Sequence, residues 1–140
     1  MLSDRRLILF HKHPSSARTL FLLLNETICQ FDGISSTSRV VEKHLGEDQV
    51  KEELSELLTD AEQRLGMSSG TLEIDRDFKV LIDDSDTSIQ VYLARFTTLD
   101  APEEQLAEQE GKFIAITEAR RLPSTELELL RLAYSAIMDD

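Results

Sequence analysis

The chain has 140 residues and a formal net charge of -12, with a pI of about 4.6. That length supports one domain, residues 1–140, with a single hydrophobic core. The charge opposes binding to a nucleic-acid backbone, since like charges repel and few cations are present to displace counterions.

The longest apolar run, Leu20–Leu24, is far too short to span a bilayer, so no membrane partner is expected. The charge is uneven: residues 1–24 carry Arg5, Arg6, Lys12 and Arg18 against Asp4 alone. A basic N-terminal section on an acidic body suits a small anionic ligand, with Lys12 and Arg18 as the candidate anion contacts; the plainer alternative is a solvated strand pair. The single cysteine, Cys29, excludes an intramolecular disulfide and points to a reducing, cytoplasmic setting. It lies among Ile28, Gln30 and Phe31 with no base tied to it, so a buried structural thiol is expected rather than a nucleophile.

In chain order, Leu7–Phe10 reads as a buried strand. Pro14, Ser15 and Ser16 supply a turn, and Thr19–Leu24 returns as the second strand of a hairpin. Ile28–Phe31 suggests a third short strand ending at Asp32-Gly33. Ser35–Ser38 forms a polar loop, after which Val40, Val41 and Leu45 are isolated apolar points in a charged stretch. From Gly46 to Met67, residues Val50, Leu54, Leu57, Leu58, Ala61 and Leu65 recur at helical spacing, and Gly66 suits a left-handed stop. Leu72–Ile74 and Phe78–Ile82 read as a hairpin broken around Asp75-Arg76-Asp77. Ile89–Phe96 alternates as a strand: Ile89, Val91 and Leu93 face one side, Tyr92 and Ala94 the other. An acidic connection, 100–111, leads to a strand over Lys112–Ile116. A short helical turn capped by Thr117 follows, and a last helix spans Thr125–Met138. Thr125 and Glu128 have capping-box spacing, and Leu129, Leu132, Ala133, Ala136 and Ile137 form the buried stripe.

This order of elements resembles the Nudix family. VYLARF, then an acidic loop, then GKFIAITEARRLPSTELELLRLAY is similar to that family's closing strand and helix, with Phe113 at a usual aromatic position. The resemblance implies an α/β fold, a mixed sheet flanked by helices. The family signature GX5EX7REUXEEXGU, anchored on Gly66-Met67, places Asp60 at the first glutamate of its second half, and Gln63 and Arg64 at the paired glutamates. Thr59 stands at the arginine, Lys51 at the early glutamate and Leu45 at the first glycine; a spacer shorter by one would instead match Gly46 and Glu52. Nudix-type hydrolysis needs several carboxylates on one helix to hold divalent cations against a diphosphate. An amide at Gln63 is a weak ligand, and a cation at Arg64 repels the metal.

Two readings follow. In the first, the chain is a divergent Nudix-like domain lacking most metal-binding glutamates, a ligand-binding or protein-interaction module with no cofactor. In the second, it is a magnesium-dependent hydrolase of a nucleoside diphosphate derivative. Its metal would sit on Glu53, Glu56 and Asp60, which share one helix flank, with a loop carboxylate from Glu104 or Glu108. A solvated acidic face explains the same three acids. His11 and His13 alternate toward one side and with His44 could hold a metal, but no second motif supports the spacing, so surface histidines are expected. Asp83, Asp84 and Asp86 lack the glycine and terminal glutamate of a calcium loop.

Overall fold

The computed structural model describes residues 5–138 except 17, 25, 31–32, 35–37, 44–50 and 85–86. The side chains of 41–43, 51–53, 76–77, 84 and 87 are likewise outside the description. Among the described residues, six strands form one mixed sheet: β1 (Arg5–Lys12), β2 (Thr19–Leu23), β3 (Arg39–Lys43), β4 (Leu72–Asp84), β5 (Thr87–Phe96) and β6 (Lys112–Ile114). Their order across the sheet is β3-β4-β5-β1-β2-β6, and only the central β1–β5 pair is parallel. The helices are α1 (Lys51–Arg64), α2 (Glu103–Ala107) and α3 (Ser124–Met138), with a 3-10 turn over Ile116–Glu118. No helix is long and apolar enough to cross a membrane among the described residues.

The sheet is the middle of three layers. Along β1, Leu7 and Leu9 join a cluster with Leu54, Leu57, Ala61 and Leu65 of α1. The alternate residues Ile8 and Phe10 pack with Leu129, Leu130, Ala133 and Ile137 of α3. A strand buried on both faces reads as a continuous apolar run, which is why 7–10 shows no polar alternation. The alternation of β5 holds: Ile89, Val91 and Leu93 lie on the α3 side, Tyr92, Ala94 and Phe96 on the α1 side. Phe113 completes the second cluster edge-on to Phe96, with ring centroids 5.5 Å apart. Each leucine buried this way contributes about 2 kcal/mol.

Helix α1 ends as its glycine implies. Gly66 has φ +70, its N–H donates to the Gln63 carbonyl, and the Met67 N–H reaches back to the Glu62 carbonyl. Those two bonds satisfy carbonyls the helix leaves open. The start expected near Gly46 lies outside the described residues.

Several expectations are corrected. Residues 72–84 form one long strand, not a hairpin: β4 pairs with β5 from Leu72 to Asp84, and the register shift between Asp75 and Lys79 absorbs the polar triplet as a bulge. Residues 39–43, read as scattered apolar points, are strand β3, paired with β4 through its own irregularity between Val40 and Glu42. Of the strand expected over Ile28–Phe31, the described residues 28–30 contribute one bridge, Gln30 to Leu7, and Phe31 lies outside the described residues. Thr125 does not close a capping box; its hydroxyl donates to the Ser38 carbonyl, and the Leu127 N–H is taken by the Pro123 carbonyl. In the 3-10 turn the capping group is the Glu118 carboxylate, which accepts the Ala115 N–H at 2.9 Å.

Candidate functional site

The acidic flank of α1 holds Glu53, Glu56 and Asp60. The Glu53 side chain lies outside the described residues. Glu56 is exposed, and Asp60 is already engaged: its Oδ2 is 3.0 Å from Arg64 Nε, one turn on. Gln63 is exposed and forms no part of that pair. Both partners are partly solvated, so the pair adds little stability, yet it puts a guanidinium where a divalent ion would need to approach.

Between these positions stands Glu62, only 5% exposed. Its Oε2 accepts the Gly70 N–H at 2.8 Å and the Leu72 N–H at 3.0 Å, tying the end of α1 to the start of β4. The sequence signal for it is faint: Glu62 falls between Ala61 and Leu65, at the rim of the apolar stripe. Glu104 and Glu108 are exposed on and after α2 and line a shallow cleft with Thr98, Asp100 and Glu103, not with Asp60. Among the described residues, no three His, Cys, Asp or Glu side chains come together in a way that could hold a metal ion.

The basic hairpin does not bring its cations together. The register pairs Lys12 with Thr19 and His11 with Leu20, so neighbouring residues point to opposite faces. Lys12 lines a cleft of about 320 Å³ with Phe10, Glu73, Asp75, Arg95 and Ile137. Arg18 lines another of about 300 Å³ with His11, His13, Asp100 and Glu103. Each cleft supplies carboxylates as well as cations.

His11 is not a surface residue but is buried, its Nε2 2.8 Å from the Thr98 carbonyl. His13 is half-buried; its Nδ1 accepts the Ser15 and Ser16 N–H groups, and its Nε2 lies 3.4 Å from Asp100. His44 lies outside the described residues.

Cys29 is fully buried. Burial pushes its thiol far above the ordinary range and the nearby Glu126 carboxylate adds to this; Arg6 and the Thr27 hydrogen bond offset only part. Glu126 is itself buried, accepting the Thr27 hydroxyl at 2.7 Å and the Ile28 N–H at 2.9 Å. These groups form an internal polar tie between α3 and the segment after β2, and the protonated thiol has no nucleophilic character.

Another cleft, about 530 Å³, opens at the β6 edge on the α3 side. Half-buried or buried Leu23, Ile114, Ala119 and Leu122 make its floor, and exposed Glu26, Glu110, Lys112 and Arg121 its rim. Among the described residues, two non-glycines have positive φ, Glu26 at 63° and Glu110 at 64°, and both line this cleft. Glu26 sits in the tight turn closed by reciprocal bonds between Leu24 and Thr27. Glu110 lies in the turn after α2, where its N–H donates to the Ala107 carbonyl and the Gly111 N–H to the Leu106 carbonyl. Both are positions at which glycine is strongly preferred, and a side chain there costs about 1–2 kcal/mol. Neither positive-φ position carries the glycine that announces such a site, so the sequence does not mark them.

In comparisons with known proteins, no family model matches the chain and no curated protein matches it.

Proposed function

We propose that this chain is a divergent Nudix-like domain that binds rather than hydrolyses, a ligand-binding or protein-interaction module of the cytoplasm. One observation carries the reading: Arg64, at a position where the resembled family keeps a metal-binding glutamate, is paired with Asp60, the one acid retained in that half of the signature. The buried acid Glu62 is spent on backbone N–H groups. The cleft at the β6 edge offers the ligand a site, with Lys112 and Arg121 to receive an anionic group.

Titration with magnesium during heat denaturation tests this. A bound ion would raise the melting temperature by mass action; the expected result is no rise and no phosphate release from a panel of nucleoside diphosphate derivatives. A rise that vanishes in Asp60→Ala, or any metal-dependent phosphate release, overturns the reading. The double variant Gln63→Glu, Arg64→Glu restores carboxylates to the helix and is expected to acquire the magnesium response that the natural chain lacks.

A further inference from the structure

We propose that the cleft at the β6 edge is a binding site for a small zwitterion of dipeptide size, its ammonium held by Glu26 and Glu110 and its carboxylate by Lys112 and Arg121. The inference deepens the binding-module reading and rests on it, naming the ligand class for the cleft.

An apolar floor with charges of both signs around it is matched by a ligand with an apolar body and two opposite ends. A volume of about 530 Å³ admits such a ligand. The charges at the rim are uncommitted. Among the described residues, none of Glu26, Glu110, Lys112 and Arg121 takes part in an ion pair or a side-chain hydrogen bond. Glu118, also at this cleft, differs, since its carboxylate is held by the Ala115 N–H.

Backbone conformation separates this rim from ordinary solvated charge. A surface carboxylate is usually indifferent to its backbone position. Here two turns from different parts of the chain each place glutamate where glycine would relieve the backbone, and both residues line one cleft. Strain kept at a concave site is what a functional constraint produces. Charge-assisted hydrogen bonds from an ammonium to two carboxylates, and from Lys112 and Arg121 to a carboxylate, would recognise the two ends.

The test uses the full chain, isotope-labelled, titrated with leucyl-leucine while backbone amide shifts are recorded. Saturable shifts are expected at Glu26, Glu110, Gly111 and Lys112. N-acetyl-leucyl-leucine and leucyl-leucine amide, each lacking one charge, should bind at least tenfold more weakly. Glu26→Gly and Glu110→Gly should each weaken leucyl-leucine at least tenfold while raising the melting temperature, which a merely structural role for either carboxylate would not do. Absence of saturable shifts with leucyl-leucine overturns the proposal. So do blocked dipeptides that bind as well as the free one, or glycine variants that melt lower and bind unchanged. Metal-dependent phosphate release would remove the binding-module reading without altering these titrations, so the two failures are told apart.

Discussion

Cys29 shows how burial turns a reactive group into a structural one. The folded thiol is held protonated far above its ordinary value of 9.0, by burial first and by Glu126 second. The unfolded chain offers no such protection, so its thiol ionises near that ordinary value. This contribution to stability is therefore complete below pH 9 and is lost as pH rises toward the raised folded value, because the unfolded state alone sheds the proton. Above pH 9 it should erode by about 1.4 kcal/mol per pH unit. Urea midpoints of the natural chain and Cys29→Ala, compared from pH 8 to roughly 10.5, should show the steeper decline in the natural chain; parallel declines would refute the assignment. The buried role of Cys29 was legible from its apolar neighbours. The roles of Glu62 and Glu126 were not, because glutamate in a local pattern reads as a solvated position. Glu126 finds its partners Thr27 and Ile28 at separations of 99 and 98 residues, and such a contact leaves no trace in spacing.

Among the described α-helices, α2 is the shortest and depends on its neighbours. Five residues cannot hold a helix in isolation. Leu106 anchors it, fully buried in the cluster beneath α1. Gln105 and Gln109 donate their side-chain amides to the carbonyls of Gly66 and Leu65, satisfying groups at the end of α1. Gly111 allows the chain to return close to this helix, since a Cβ there would stand 3.2 Å from the Leu106 carbonyl oxygen. Leu106→Ala should cost about 2–5 kcal/mol and loosen the end of α1 along with α2. Urea unfolding measures the first, and exchange of the Met67 amide the second; a loss under about 1 kcal/mol would mean that α2 is not held by this side chain. Helix α1 was legible because its stripe and its terminal glycine agree. Strand β4 was misread because Asp75-Arg76-Asp77 has turn chemistry, and only pairing with β5 makes it a bulge. Strand β3 was missed because it is a short edge strand beginning at an exposed arginine, Arg39, and is identified by its pairing with β4 rather than by apolar periodicity.

At the scale of the molecule, the α/β class follows from the mixture of runs, alternation and stripes, but the order of strands does not. Alternation tells which face a residue takes and says nothing about which strand lies beside it. The parallel pairing of β1 with β5, more than seventy residues apart in the chain, places the N-terminal strand at the centre of the sheet. That position has an energetic consequence. Both β1 and β5 are flanked by strands on either side and covered by helices on both faces, whereas β3 and β6 are edges, and β6 is only three residues long. Opening an edge exposes little apolar surface; opening the centre requires the whole sheet to part. Amide exchange should therefore be slowest at Leu9 and Leu93 and faster in β6 by roughly a hundredfold or more, because local openings of the edge lie well below the global unfolding free energy. If β1 exchanged as fast as β6, the N-terminal strand would be a detachable flap, and the three-layer packing of Leu7 and Leu9 against α1 and of Ile8 and Phe10 against α3 would not be what holds the domain together.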